Sequence, residues 1–191
     1  LQVISTPAVA YLMTKYKADA GIMISASHNP SEYNGIKIFG GNGYKLPDAL
    51  EERIEDIVLN HLPIADHLVG DAVGTVTYCN DCAKDYIAHL RSTVPNCLEG
   101  LRVGVDCANG SASVTARELF ESLGAEVHII NDRPNGSNIN NNCGSTHMEE
   151  LIKTVRDLHL DCGVAFDGDA DRCLAVDENG ALIDGDMIMA V

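Results

Sequence analysis

Val9, Leu12, Met13 and Tyr16 recur at the spacing of one helix face directly after Thr6-Pro7, which predicts a helix over residues 6–17. Thr6 reads as its N-cap, and Pro7 suits the first helical position, where a missing N–H costs nothing. Ala20 to Ser25 is a short apolar run and reads as a buried strand. A polar loop, Ala26 to Gly35, follows it. Ile36 to Phe39 and Tyr44 to Leu46, parted by Gly40-Gly-Asn-Gly43, read as a hairpin. Asp48 and Glu51 match a capping box ahead of a helix to about Asn60, with Leu50, Ile54, Ile57 and Val58 as its apolar stripe.

Residues 61–75 lose this regularity and contain Pro63, Gly70 and Gly74, so a boundary is expected there, dividing the chain into 1–72 and 73–191. A second series then runs helix 80–93, strand 101–106, helix 111–123 closed by Gly124, and strand 125–130. A polar, Asn-rich loop spans 131–144. Thr146 and Glu149 open a helix in which Met148, Leu151, Ile152, Val155 and Leu158 share a face. Strands 162–166 and 173–177 flank an acidic loop. Strands alternating with amphipathic helices predict an α/β fold with helices on both faces of a sheet. Ligands of such sheets gather beyond the carboxyl ends of the strands, where both polar loops fall.

Composition narrows the chemistry. The chain has 191 residues, is 46% hydrophobic and 21% charged, and reads as an ordinary soluble globular protein. No apolar run reaches the roughly 20 residues of a membrane helix. A net charge of −15, with only 13 scattered basic residues, argues against nucleic acid and against non-specific anion binding. Any phosphate site must be a local construction. The seven cysteines, several within apolar alternation, read as reduced core residues, which points to the cytoplasm. Cys79-Asn-Asp-Cys82 lacks the second pair or the context that a zinc or redox motif needs. The chain starts at Leu1 and stops at Met187-Ile-Met-Ala-Val191, an incipient helix, so a piece of a longer protein is expected.

Two loops carry the candidate chemistry. Ser25-Ala-Ser27-His28-Asn29-Pro30 leads to Tyr33-Asn-Gly35-Ile-Lys37. Its Ser, Asn, Pro and Gly residues also suit an ordinary turn, and adjacent Ser and His do not make a triad. Lys37 is a cation at the loop's edge, either a solvated lysine or a group that neutralises phosphate and exchanges protons. The second loop, Asp167-Gly-Asp169-Ala-Asp171-Arg172, spaces three carboxylates at alternate positions after a strand. Such charges repel unless a cation joins them, and an oxygen-only set favours a hard divalent ion. An EF-hand also places aspartates at loop positions one, three and five. Here, however, Arg172 stands where that loop needs glycine. Arg172 suits either phosphoryl oxygens or a salt bridge to Asp171.

Both loops resemble those of the α-D-phosphohexomutases, although they lie about 140 residues apart. The resemblance implies three-layer α/β/α domains with mixed, mainly parallel sheets, and a chain covering the end of a first domain and most of a second. It implies that Ser27, not Ser25, carries a phosphoryl group and that Lys37 is a general acid/base. Asp167, Asp169 and Asp171, with an oxygen of phosphorylated Ser27, would hold one Mg2+, while His28, Asn29 and Arg172 contact phosphate. Asn34 to Phe39, Asp106 to Gly110, Pro134 to Asn140 and Cys143 to Thr146 look most like bacterial members acting on glucosamine phosphates. The implied partner is a small phosphosugar. The family's sugar-selecting and distal phosphate-binding loops lie outside these residues, so mannose and glucose phosphates stay open as substrates, as does a non-catalytic metal-binding fragment. Oligomeric state is not legible.

Overall fold

In the computed structural model, residues 1–64, 68–94 and 98–190 are described. The first group of elements is α1 (Thr6–Tyr16), β1 (Ala20–Ile24), β2 (Ile36–Gly40) and α2 (Asp48–Leu59). The cap of α1 is Ser5, one residue before the expected Thr6; its side chain accepts from the Ala8 N–H at 3.3 Å. Thr6 is thereby released for another contact. Ala8, Val9, Leu12 and Met13 are buried and pack with Ile4 and Phe39.

Strands β1 and β2 pair antiparallel from Ala20↔Gly40 to Ile24↔Ile36. The expectation of a buried β1 fails: one face is exposed and the other is only half-buried. Ile22 and Ile24 are 63% and 66% exposed, because a two-stranded ribbon is covered by α1 on its other side only. There the approach is close: a Cβ on Gly21 would lie 2.5 Å from Met13 Sδ. The expected hairpin shrinks to one bridge between Phe39 and Lys45, since β2 pairs chiefly with β1. The capping box does not form either, as Asp48 is the first residue of α2 and Pro47 takes the cap position. None of α2 is buried, so its apolar stripe has no covering element among the described residues.

A 3-10 turn at Gly70–Ala72 leads to α3 (Cys82–Thr93). This helix lies past the boundary read from the sequence, yet its Cys82 and Tyr86 join the core around α1. It also touches α4 (Ala116–Ser122), which follows β3 (Arg102–Asp106). The expected helix 111–123 is divided, with a 3-10 turn at Ser111–Val114 preceding α4. Then come β4 (Glu126–Ile130), α5 (Glu149–Leu158), β5 (Cys162–Phe166), β6 (Cys173–Asp177), β7 (Leu182–Ile183) and α6 (Gly185–Met189).

The main sheet has the order β4-β3-β5-β6-β7. The three strands joined through helices, β4, β3 and β5, run parallel, while β6 and β7 are appended antiparallel through tight turns. Val103 and Val105 pack with Ala112 and Ala116 on the α4 side. Alternation turns Gly104 and Gly163 to the opposite face, where Leu151 and Val155 of α5 sit on them. The result is a mixed sheet between two helical layers. Asp106 ends β3 and Asp167 directly follows the adjacent parallel β5, which places the acidic loop at the sheet's carboxyl edge.

Cys82, Cys107 and Cys143 are buried as expected, whereas Cys173 is exposed because it opens β6 beside the acidic loop. Burial pushes the Cys107 thiol up to about 12 and the Cys143 thiol to about 11, so both stay protonated and inert. The six described cysteines are free thiols.

Candidate functional site

Asp167, Asp169 and Asp171 each offer a carboxylate oxygen, and these atoms lie within 4.8 Å of one another. The turn that gathers them needs Ala170 at φ 55°, a left-handed conformation. Asp167 and Asp169 are buried, while Asp171 is more open. Burial, followed by the charges of Asp169 and Asp171, raises the Asp167 carboxyl above the usual carboxylate range, against a hydrogen bond from Ser27. Burial also opposes ionisation of Asp169. There the hydrogen bonds from Lys37 and Thr6 outweigh it and hold the group below its usual value.

Lys37, on β2, supplies the nearest cation. Its ammonium pairs with Asp169 and lies 3.6 Å from Asp171. Arg172 reaches Asp171 at 3.8 Å and also approaches His28 Nδ1 at 3.3 Å. One acceptor is left over: Asp169 Oδ1 is buried and has no hydrogen-bond partner. A buried, unpaired carboxylate oxygen within a cluster of like charges is what a cation would satisfy.

Ser27 is brought to this cluster from the other end of the chain. Its Oγ donates to Asp167 Oδ2 at 2.6 Å, across 140 residues of sequence. Ser25 does different work, accepting the Ser27 N–H on its side chain at 2.9 Å. The backbone of Ser27 is left-handed at φ 56°, which costs on the order of 1 kcal/mol and needs support from outside the loop. Asn29 donates its side-chain N–H to Ala26 O at 3.1 Å and so shapes the turn, while His28 beside it is exposed. All eight residues singled out from the two motifs therefore lie at one place or border it.

Several supporting residues were not legible as such. Thr6 Oγ1 donates to Asp169 Oδ2 at 2.7 Å, and the Thr6 N–H donates to Asp169 O at 3.0 Å. Asp106 is fully buried and accepts from the Ala108 N–H (2.8 Å), the Gly144 N–H (2.9 Å) and Asn131 Nδ2 (3.2 Å). Asn140 reaches the carbonyls of the Ser27 loop. In the sequence, Asp106 to Gly110 is only a strand-to-helix turn and the Asn-rich segment only a polar connection. Their role is visible once both loops are folded against the acidic turn.

Two substitutions probe this support. In Asp106→Ala two buried backbone N–H groups lose their acceptor, and chemical denaturation should show a loss of about 3 kcal/mol. Gly168 sits between the two loops. A Cβ there would lie 2.6 Å from Ser27 O and 2.8 Å from Asn140 Nδ2. Gly168→Ala should therefore push the Ser27 loop off the acidic turn, lowering stability by about 1–3 kcal/mol in thermal unfolding.

Comparison with known proteins supplies the context for this geometry. Residues 1–63 match the family model described as phosphoglucomutase/phosphomannomutase, alpha/beta/alpha domain I. Residues 84–180 match the corresponding model of alpha/beta/alpha domain II. A phosphoglucosamine mutase of Clostridium tetani is 54% identical over all 191 residues of the chain, which span 43% of that protein. A phosphoglucomutase/phosphomannomutase family protein from Burkholderia thailandensis shares the fold at a TM-score of 0.72 and 24% identity, over 94% of this chain and 40% of that one. So does an Aspergillus fumigatus N-acetylphosphoglucosamine mutase solved with GlcNAc-6P and magnesium, at 0.53 and 22%, over 95% of this chain and 49% of that one. With one family model alone covering half of it, the chain belongs to the phosphoglucomutase/phosphomannomutase family.

Proposed function

We propose that this chain is the serine- and aspartate-bearing part of a phosphoglucosamine mutase, which interconverts glucosamine 6-phosphate and glucosamine 1-phosphate for the synthesis of UDP-N-acetylglucosamine. The observation that carries the reading is the hydrogen bond from Ser27 Oγ to Asp167, which joins the serine to the acidic triad. The 54% identity to the Clostridium tetani protein favours glucosamine as the sugar. Because the chain spans 43% of that relative, the activity belongs to a longer enzyme. Residues 1–72 and 73–191 would be its first- and second-domain portions, a division supported by family matches at 1–63 and 84–180.

In this reading Ser27 carries a phosphoryl group and donates it to a hydroxyl of the bound hexose monophosphate. The new O–P bond forms as the bond to Ser27 Oγ breaks, and the hydroxyl proton leaves. The bisphosphate reorients and returns its other phosphoryl group to Ser27. A serine ester in this way divides one difficult transfer into two easier ones. Lys37 exchanges protons with the sugar hydroxyl, accepting one only as the neutral amine and, as the ammonium, balancing charge beside Asp169 and Asp171. His28, Asn29 and Arg172 hold phosphoryl oxygens, for which the Arg172 guanidinium is well shaped.

The oxygen-only donor set and the orphaned Asp169 Oδ1 fit a hard divalent cation. Asp167, Asp169, Asp171 and an oxygen of phosphorylated Ser27 would hold it as Mg2+, where it supplies Lewis-acid polarisation of the transferring group. No helix among the described residues is long and apolar enough to cross a membrane. The six described free cysteines and the net charge of −15 support a cytoplasmic enzyme that acts on a small phosphosugar and not on nucleic acid.

The test is an assay of the full-length enzyme on the 6-phosphates of glucosamine, N-acetylglucosamine, glucose and mannose. Glucosamine 6-phosphate should lead in kcat/KM by roughly 100-fold or more. Equal or faster turnover of the mannose or glucose compound would overturn the sugar assignment and leave the phosphoryl-transfer chemistry standing.

A further inference from the structure

Asn140 belongs to neither motif, yet it is the residue that ties them together. It is 7% exposed and 113 residues from Ser27, and its Nδ2 donates to Ser27 O at 2.8 Å and to Asn29 O at 3.0 Å. Both hydrogens of the carboxamide are spent on two carbonyls of the same short loop, one on each side of His28. Reversing the amide would set its oxygen against both carbonyls, so the contacts themselves choose its orientation. Asn140 Oδ1 is left buried and without a partner, a cost that the two donated bonds must outweigh.

The residue is itself firmly placed. Asn140 adopts φ 56°, a left-handed conformation that asparagine tolerates better than most residues. Its backbone N–H donates to Ala108 O at 2.9 Å. Ala108 in turn is fixed by Asp106, which also holds Gly144. Rigid support thus runs from the end of β3 through the Ala108 turn to Asn140, and from there to the backbone of Ser27. On the other side, Gly168 of the acidic turn is close to both Asn140 Nδ2 and Ser27 O, so nothing larger fits between the two loops.

We propose that Asn140 is a positioning residue for the serine: its carboxamide holds the left-handed Ser27 backbone so that Oγ stays aimed at Asp167 and the acidic triad. This rests on the reading of Ser27 as phosphate carrier. Without the clamp, the loop can drift by a fraction of an ångström while the motif residues remain intact. Phosphoryl transfer depends on in-line placement, and a misplacement of about 1 Å costs on the order of 100-fold in rate. Asn140 touches neither the reacting oxygen nor a carboxylate, so it acts only through Ser27.

Two variants of the full-length enzyme test this. Asn140→Asp keeps size and backbone preference but presents acceptors to two carbonyls, whereas Asn140→Gly keeps the backbone and removes the clamp. Each is mixed with a hexose 1,6-bisphosphate, and the rate at which phosphate appears on Ser27 is followed by intact mass. Thermal unfolding and Mg2+ affinity are measured on the same samples. Wild type should acquire phosphate on Ser27, and both variants should acquire it about 10- to 100-fold more slowly, with kcat falling in step. Substrate KM and Mg2+ affinity should stay within about twofold of wild type. If the rate per folded molecule matches wild type, Asn140 is merely structural and the inference is overturned. If wild type itself never acquires phosphate on Ser27, the mutase reading fails, an outcome distinguishable because it does not depend on Asn140.

Discussion

Replacing Ser27 by alanine in the full-length enzyme is expected to abolish sugar phosphate interconversion, with kcat falling by about 1000-fold or more. The expectation follows from position. Ser27 Oγ is the hydroxyl bonded to the acidic triad, while Ser25, two residues earlier, is occupied with the Ser27 backbone N–H. The hydroxyls of Ser25 and Thr6 are already committed. Thr6 is held at the start of α1, donating its hydroxyl to Asp169 Oδ2 and its backbone N–H to Asp169 O. Stability should change little. Alanine suffers the same left-handed strain as serine at this φ, and the lost hydrogen bond is worth roughly 1 kcal/mol. Steady-state assay and thermal unfolding of the same preparation separate a dead but folded enzyme from an unfolded one. A folded Ser27→Ala enzyme with near-normal turnover would show that the serine does not carry the phosphate.

Asp169→Asn should remove divalent-ion binding, lowering Mg2+ affinity by about 100-fold or more in a calorimetric titration, with activity lost in parallel. Asp169 has two distinct oxygens. Oδ2 is committed to Thr6 and Lys37, whereas Oδ1 is buried and unpaired. Asparagine can keep the first set only by turning its oxygen toward Thr6 and Lys37, which puts an NH2 group, unable to ligate a cation, where Oδ1 now stands. The metal-free protein should tolerate the change better than the loss of binding suggests. Removing one of three clustered charges relieves repulsion on Asp167, whose carboxyl the Asp169 charge helps to raise. Undiminished Mg2+ affinity in Asp169→Asn would place the cation elsewhere.

How much of this was readable in advance depended on the range of the interactions involved. Helix α5 was legible because Leu151 and Val155, at helical spacing, are both fully buried against one sheet face. The two motifs were legible because each is a contiguous string whose residue types imply a charge problem, and phosphate on Ser27 and three carboxylates solve it only with a cation. Strand β1 was half legible. Its apolar run signals a strand, but whether Ile22 and Ile24 are covered depends on what lies against the ribbon, which no local pattern encodes. The cap of α1 shows the same limit, since Ser5 and Thr6 are equally good caps and only the distant Asp169 decides which one is free.

Asn140, Thr6 and Asp106 escaped for a common reason. Each is a small polar residue in a turn or at an element's end, where such residues have ordinary local uses. Their partners at the site lie 113, 163 and 38 residues away for Asn140, Thr6 and the Asp106–Gly144 contact respectively. Burial is the signal that distinguishes them. A fully buried Asp106 or a nearly buried Asn140 must answer for its polar atoms, and following those bonds leads directly to the Ser27 loop and the acidic turn.

Localising the phosphate tests most directly whether Ser27 is the phosphate carrier partnered by the acidic triad. The full-length enzyme is incubated with a hexose 1,6-bisphosphate and Mg2+, digested, and its peptides sequenced by mass spectrometry. One phosphoryl group is expected, on Ser27, with Ser25 unmodified and no phosphate in Ser27→Ala. Phosphate on Ser25 or another residue while Ser27 stays bare, or no phosphate at all in an active enzyme, would contradict it.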